Sequence, residues 1–170
     1  TIRDSLTHGH FYIDFDSEDY KKVKEDVIGV LAYFKVVFSI DYSDIQIYYS
    51  GNKGIHLIIP KEVLGIKPHK ELNLIFKSIV VKCSSQAPNN TIDTRIYDNK
   101  RMFRVPNSIN EKTYLYKIQL TYEEFRELNE ADIKTLATTS RNISIKSNTI
   151  NGNANKMFEW FINNYEDILE

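Results

Sequence analysis

The chain has 170 residues, of which 42% are hydrophobic and 26% charged, and its formal net charge is −1. This composition is typical of a globular domain and excludes a disordered or fibrous chain, and the charge excludes a uniformly basic nucleic-acid coat. A single cysteine excludes an internal disulfide, and no apolar run reaches the roughly 20 residues of a membrane span. We therefore expect one cytoplasmic domain over residues 1–170, with no membrane contact. A strand follows Thr1 almost at once, so we also expect a fragment of a longer protein.

Hydrophobic spacing predicts strands and helices in the first half of the chain. Alternating, aromatic and β-branched residues indicate strands, whereas apolar residues three and four apart indicate helices. The predicted segments are a strand over 11–16, a helix over 18–34 with Ser17 as its N-cap, strands over 45–49 and 55–59 joined by the glycine-bounded turn 50–54, and a helix from Pro68 to Val80.

Shorter elements follow, and residues 121–170 are predicted to be mainly helical. The predicted segments are a loop over 84–91, extended segments around 92–96, 102–105 and 114–120, a short helix with a Thr121–Glu124 capping box, a helical turn at 133–137, a polar loop over 142–155 and a closing helix over 157–169. The order β-α-β-β-α-β-β-β-α predicts an α/β (α+β) fold, with a mixed or antiparallel sheet backed by helices. Strand order does not follow from this pattern.

Two aspartates, Asp14 and Asp16, lie at the end of the first predicted strand. Residues two apart in a strand point to the same face, so both carboxylates should project together while Phe15 enters the core. Adjacent carboxylates repel each other unless a cation lies between them, and oxygen ligands suit Mg²⁺ or Mn²⁺. The alternative is that these aspartates cap the following helix and contact only water.

The turn after the second strand reads Ser50-Gly51-Asn52-Lys53-Gly54-Ile55-His56. Glycines at both ends allow backbone N–H groups to approach a phosphate, and Lys53 adds a positive charge. The Ser50 hydroxyl and the His56 imidazole suit the lining of the same phosphate pocket. The alternative is an ordinary hairpin with a buried histidine.

A third stretch begins with Asp93, which could complete a metal site with Asp14 and Asp16. Between residues 93 and 117 three residues are acidic and six are basic, so positive charge is concentrated here and favours contact with nucleic acid. The basic residues are Arg95, Lys100, Arg101, Arg104, Lys112 and Lys117. The alternative is a solvated strand-loop-strand with scattered charge.

In this order, the three blocks resemble the signature of the archaeo-eukaryotic primase superfamily. That signature has a strand ending in Asp-x-Asp, a Ser-Gly-x-x-Gly-x-His turn and a third Asp behind an apolar residue. Primase small subunits then carry a basic-x-Pro-x-Ser-x-His stretch, which this chain matches at Arg104, Pro106 and Ser108 but not at Asn110, where those primases have His. The resemblance covers about residues 11–120, and its details look most like primase-polymerases of mobile elements, phages or CRISPR-associated loci.

The resemblance implies an RRM-like catalytic core that joins NTPs or dNTPs on a single-stranded DNA template and primer by a two-metal mechanism. Two Mg²⁺ or Mn²⁺ ions would be held by Asp14, Asp16 and Asp93. The implied nucleotide-binding residues are Ser50, Lys53, Gly54, His56, Arg104, Ser108 and Asn110. Lys100 and Arg101 would follow the template backbone, and flanking helicase or CRISPR-associated domains would lie outside this chain.

Other functions use similar residues. A metal-dependent nuclease would also need Asp-x-Asp and a distant Asp. A replication-initiator nicking enzyme would use His8 and His10 as metal ligands and a nucleophile such as Tyr20. A non-catalytic nucleic-acid-binding module would share the sheet, although three carboxylates facing phosphate disfavour it. Tyr48 and Tyr97 could stack on template bases or pack in the core.

Overall fold

The computed structural model of the chain describes residues 8–98, 105–142 and 150–170. Within these ranges one antiparallel sheet has four strands in the order β1-β3-β2-β4. The strands are β1 Phe11–Asp16, β2 Gln46–Tyr49, β3 Gly54–Ile59 and β4 Ile118–Leu120. The predicted α+β class, with an antiparallel sheet accompanied by helices, is confirmed.

Six α-helices occur in the described parts of the chain. They are α1 Tyr20–Val37, α2 Lys61–Leu64, α3 Leu72–Cys83, α4 Tyr122–Glu127, α5 Glu130–Leu136 and α6 Gly152–Leu169. Phe11 of β1 meets Phe34 of α1 and Phe76 of α3 edge to face, with ring centroids 5.6 and 5.3 Å apart. In α6, Phe161 stacks on Phe38 just after α1, at 5.8 Å. The core therefore lies between one face of the sheet and these helices.

Strand alternation gives the sheet a second face of different character. In β1, Phe11, Ile13 and Phe15 are fully buried, whereas the residues between them are partly or largely exposed. We call this second side the polar face; the strand residues on it are Tyr12, Asp14, Asp16, Gln46, Tyr48, His56, Ile58 and Gln119. The polar face is where ligand-binding side chains can project without disturbing the core.

Residues 91–93 run along the outer edge of β1. The N–H of Asp16 donates to the carbonyl of Thr91 at 2.8 Å, and the N–H of Asp93 donates to the carbonyl of Asp14 at 2.9 Å. Phe15 and Ile92 form the antiparallel bridge between these two bonds. β1 is thus hydrogen-bonded on both sides, to β3 and to this short segment.

The first two helices begin later than predicted. The carboxylate of Asp19, rather than Ser17, accepts the N–H of Lys21 at 3.0 Å, so α1 begins at Tyr20. Ser17 instead accepts the N–H of Asp19. α3 begins only at Leu72, so Pro68 precedes that helix instead of lying in its first turn. Helix α2 was not predicted.

The second half also departs from the predictions in places. The extended segment at 92–96 is wrong beyond Ile92, because residues 95–97 form a 3₁₀ turn. Of the segment 114–120 only Ile118–Leu120 is a strand, with a bridge at Tyr116. Residues 102–104 and 143–149 lie outside the described residues.

Of the three helix starts that the structure describes in this half, only that of α4 agrees with the prediction. The Thr121–Glu124 capping box of α4 is confirmed, and Asn129 with Asp132 forms a second one at α5. α6 begins at Gly152 with Asn151 as its N-cap, inside the predicted loop. Across the described ranges, every helix is too short or too polar to cross a membrane.

Gly54 is a position where β3 approaches β1 too closely for a side chain. A Cβ there would lie 2.0 Å from the carbonyl oxygen of Phe15. Because the obstructing atom belongs to the backbone, Gly54→Ala must displace β1, and we expect it to lower the free energy of unfolding in urea by about 1–3 kcal/mol. Gly152→Ala is the matched control, since nothing lies within 4 Å of its added Cβ. Equal unfolding free energies for the two variants would contradict this prediction.

Candidate active site

Asp14 lies at the centre of the candidate site. In the sheet register it lies opposite His56 of β3, and the segment on its other side puts Asp93 opposite it as well. Directly opposite residues in antiparallel strands have Cβ atoms roughly 4.5–5.5 Å apart. Asp16 lies two residues along β1 and therefore on the same face. Asp93, which is distant in sequence, thus shares one face of the sheet with Asp14 and Asp16.

Two of these carboxylates have cationic or imidazole partners. Asp14 Oδ1 lies 3.4 Å from His56 Nε2. Arg95 donates from Nε to Asp93 Oδ1 at 3.1 Å and from Nη2 to Oδ2 at 3.3 Å. The Arg95 side chain is 82% exposed and that of Asp93 only 15%. The guanidinium therefore covers a largely buried carboxylate from the solvent side.

Asp16 experiences the repulsion within this group. Burial raises its pKa, the charge of Asp14 raises it further, and the nearby Lys53 ammonium acts in the opposite direction. Asp93 adds a smaller increase. A raised pKa means that the ionised carboxylate is less favourable in the folded protein than in the unfolded chain. This is the kind of repulsion that a bound divalent cation relieves.

Asp26 of α1 fixes the segment that carries Asp93. Its side chain is fully buried. Asp26 Oδ1 accepts the backbone and side-chain N–H groups of Asn89, both at 3.0 Å, and Oδ2 accepts the N–H and hydroxyl of Thr91 at 3.0 and 2.8 Å. Hydrogen bonds to a charged group contribute about 1.5–3 kcal/mol each, so this network holds residues 89–91 firmly. Asp93 follows two residues later.

The predicted phosphate turn lies next to the carboxylates, because Gly54 pairs with Asp16. Ser50 Oγ accepts the N–H groups of Asn52 and Gly54 at 3.2 and 3.1 Å. These two amides therefore point toward the serine and not toward an outside phosphate, unlike the expectation for this turn. A hydroxyl has two acceptor positions and one donor, so Ser50 can still donate its hydrogen to a ligand.

Lys53 projects from the same turn. Its Nζ lies 2.6 Å from Glu18 Oε1, and this contact raises the pKa of Lys53. The two side chains are 42% and 83% exposed. Exposed ion pairs contribute little free energy, so Lys53 can exchange Glu18 for another anion at small cost.

The remaining predicted nucleotide contacts have different environments. The Ser108 hydroxyl is buried and has no hydrogen-bond partner among the described residues, so it is a candidate for a ligand contact. Asn110 is 3% exposed, and its side-chain oxygen accepts the N–H groups of Lys112 and Thr113 at 2.9 and 3.2 Å. Asn110 thus shapes its own turn. Arg104, Lys100 and Arg101 lie outside the described residues, and their roles stay predictions.

Lys117 and Tyr48 were not predicted as a pair. Lys117 precedes the core residue Ile118 and therefore points to the polar face, where its Nζ lies 5.1 Å from the centroid of the Tyr48 ring. Lys117 is 2% exposed, and Tyr48 lies opposite His56. A buried cation beside the site favours anionic ligands. The alternation of Ile118 and Leu120 was the signal that could have identified it.

The two tyrosines considered for base stacking have buried rings. Tyr48 is 4% exposed and Tyr97 is 0% exposed. The Tyr97 hydroxyl donates to the carbonyl of Tyr12, whose ring stacks on that of Tyr97 at a centroid distance of 5.3 Å. Tyr97 therefore packs in the core, whereas Tyr48 lies on the polar face with Lys117 against its ring.

The residues of the nicking-enzyme alternative do not form a site. His10 Nδ1 accepts the N–H of Lys61 at 2.8 Å, and burial lowers the pKa of this histidine. Tyr20 is 8% exposed, its hydroxyl has no hydrogen-bond partner in the described ranges, and burial raises its pKa. A nucleophilic hydroxyl has to be reachable and easily deprotonated, which Tyr20 is not.

We looked for groups of three or more His, Cys, Asp and Glu side chains in residues 8–98, 105–142 and 150–170. In their present conformations, none of these groups could hold a metal ion. The contacts of Asp93 with Arg95 and of Asp14 with His56 account for this, because they direct the carboxylates to other partners. The donor chemistry still fits, since carboxylate oxygens are the ligands that Mg²⁺ and Mn²⁺ prefer.

A cavity of about 320 Å³ opens beside two of the carboxylates and is lined by Asp16, Asp93 and Arg95, among others. A larger cleft of about 690 Å³ lies beside β4. Four acidic side chains and only two basic ones line the larger cleft, so it is unsuited to a phosphate; they are Asp41, Asp44, Glu123, Glu124, Lys35 and Arg141.

Comparison of the chain with protein-family models finds no match, and comparison with curated proteins finds no significant one.

Asp16→Asn should raise the melting temperature at pH 7. The folded-state pKa of Asp16 is raised, so the ionised carboxylate opposes folding once the pH exceeds its unfolded value. The increase in melting temperature should disappear in acid, where the wild-type carboxyl is protonated. Thermal denaturation of both proteins at several pH values measures this difference. Asp98→Asn is the control, because Asp98 forms an ion pair with Lys77 at 2.8 Å and should gain nothing. A lower melting temperature for Asp16→Asn at pH 7 would contradict the raised pKa of Asp16.

Proposed function

We propose that this chain is the catalytic core of a template-directed nucleotidyltransferase, a primase-polymerase of the archaeo-eukaryotic type that joins NTPs or dNTPs on single-stranded DNA. The observation that carries the proposal is the position of Asp14, Asp16 and Asp93 on one sheet face beside the Ser50–Gly54 turn. Asp14 and Asp16 belong to one sequence motif, Asp93 to a second and the turn to a third. A chance resemblance gives no reason for them to meet at one site.

The topology supports the proposal of an RRM-like core. Residues 91–93 pair with β1 on the side opposite β3. When this segment is counted as a strand and the four-residue helix α2 is left aside, the α-helices and strands from Phe11 to Asp93 run β-α-β-β-α-β, and the sheet order is 91–93, β1, β3, β2. This is the ferredoxin-like arrangement to which RRM domains belong. In this arrangement β4 is an addition beyond β2.

The proposed chemistry assigns a task to each group. When bound by the three carboxylates, two divalent ions would activate a 3′-hydroxyl and neutralise the triphosphate and the leaving pyrophosphate. Lys53 exchanges its exposed Glu18 partner for a phosphate oxygen, and the Ser50 hydroxyl donates its hydrogen to the same group. His56 orients Asp14 through the contact at 3.4 Å. Lys117 contributes positive potential from the polar face.

Asp14→Asn and Asp93→Asn should each lower primer extension by at least about 100-fold, because each removes a charged metal ligand. The measurement is extension of a labelled primer on a DNA template with Mg²⁺ or Mn²⁺. Asp98→Asn is the matched control, since Asp98 is five residues from Asp93 but pairs with Lys77 at the surface. Extension by either site variant at the wild-type rate would refute the metal role. Shorter products from the wild type would instead indicate a nuclease.

In the proposed site the carboxylates bind the cation, whereas Arg95 opposes cation binding. It binds both oxygens of Asp93, and the charge of Asp16 contributes to its raised pKa, so it lies close to both residues. A divalent ion at Asp93 needs the same oxygens and is repelled by the guanidinium. Arg95 therefore has to leave Asp93 before a cation can bind there.

Arg95→Ala should consequently bind Mn²⁺ about two- to fivefold more tightly than the wild type, since the guanidinium is 82% exposed and its attraction to Asp93 is weakened by solvent. Isothermal titration with Mn²⁺ alone measures the affinity without any turnover. Arg126→Ala removes an exposed arginine on α4 and should leave the affinity unchanged. Weaker Mn²⁺ binding by Arg95→Ala would show that Arg95 supports the site and does not compete with the cation.

A further inference from the structure

Tyr114 occupies a backbone conformation that is unfavourable for an aromatic residue. Its φ is 60°, in the left-handed region that glycine and asparagine tolerate best. Asn90 and Asn107 also have positive φ, and their side chains suit that conformation. Tyr114 has a Cβ and a large ring, and the ring is not used in packing, because the residue is 77% exposed. The fold therefore gains nothing from a tyrosine here.

The turn that contains Tyr114 is fixed by polar contacts of its neighbours. The N–H of Tyr114 donates to the carbonyl of Asn110, and the N–H of Asn110 donates to the carbonyl of Leu115, both at 2.8 Å. The side chain of Asn110 accepts two further N–H groups of the turn. None of these bonds requires a particular side chain at position 114. Any residue placed there is held at positive φ, and glycine would be held without strain.

This turn lies directly against the predicted phosphate turn. The Thr113 hydroxyl donates to the carbonyl of Gly51. Gly51 has a φ of 90°, and a Cβ on it would lie 3.0 Å from the carbonyl oxygen of Leu115. The two turns therefore form one unit, and the Tyr114 ring projects into solvent beside the proposed nucleotide site.

We propose that Tyr114 is a stacking platform for a base of the single-stranded DNA template. This inference depends on the proposed function, which supplies the DNA. An exposed aromatic ring next to a lysine is the combination that binds single strands without sequence preference, because the ring stacks on a base and the cation meets the backbone. Lys112 is exposed two residues away, and the apolar Ile109, 47% exposed, lies on the same hairpin. Unfavourable backbone conformations kept at such positions are a sign of function.

The test compares stability and DNA binding in the same full-length variants. Tyr114→Gly should raise the urea midpoint, because the strain disappears, and should weaken binding of a fluorescent oligodeoxythymidine roughly 5- to 100-fold at constant salt. Tyr114→Phe keeps the ring and should bind DNA within about twofold of the wild type. Trp160→Ala is the control for removal of an exposed aromatic ring, since Trp160 is 44% exposed on α6.

Each other outcome overturns the assignment. DNA binding by Tyr114→Gly at wild-type affinity would show that the ring does not contact DNA, even if primer extension is intact. An equal loss of dATP binding would place the base of the incoming nucleotide, and not the template, against the ring. A wild-type protein that neither binds the oligonucleotide nor extends a primer would overturn the proposed function together with this inference.

Discussion

The pairing of β1 on both of its edges is the constraint on which the candidate site depends. β3 holds one edge and brings His56 to Asp14, while residues 91–93 hold the other and bring Asp93 to Asp14. The second pairing is only three residues long and would be weak alone. The buried Asp26 carboxylate makes it firm, because it accepts four hydrogen bonds from the residues that lead into this segment.

The same pairing creates an electrostatic cost that the fold only partly offsets. Carboxylates side by side on a half-buried face repel each other, and the pKa of Asp16 is raised first by burial and then by the charge of Asp14. Arg95 neutralises part of it at Asp93, and the His56 imidazole contacts Asp14. A sequence selected for stability alone would replace one of these acids with an amide. Retention of all three is therefore an argument for a cationic ligand, in line with the usual conflict between stability and function.

Sequence periodicity predicted the elements whose pattern is local, such as β1, α1 and the Thr121–Glu124 cap. It also identified the acids and the turn, because these residues follow recognisable spacings. It could not give the sheet order or the pairing of residues 91–93, since these depend on contacts between distant segments. Arg95 and Asp26 were missed for the same reason, although an acid three residues after Val23 on the apolar stripe of α1 was a usable signal.

The turn beside the carboxylates is the feature that favours the proposed polymerase over a nuclease. Both enzymes need acidic ligands for divalent ions, so Asp14 and Asp93 alone do not separate them. A nuclease cleaves a phosphodiester with one charge per phosphate, whereas a polymerase must hold a triphosphate that carries several. Lys53 and the Ser50 hydroxyl lie next to Asp16 because Gly54 has no side chain to keep β3 away from β1. A lysine this close to the acidic strand is not needed to cleave a phosphodiester, but it helps to bind a triphosphate. The position of the turn therefore favours nucleotidyl transfer.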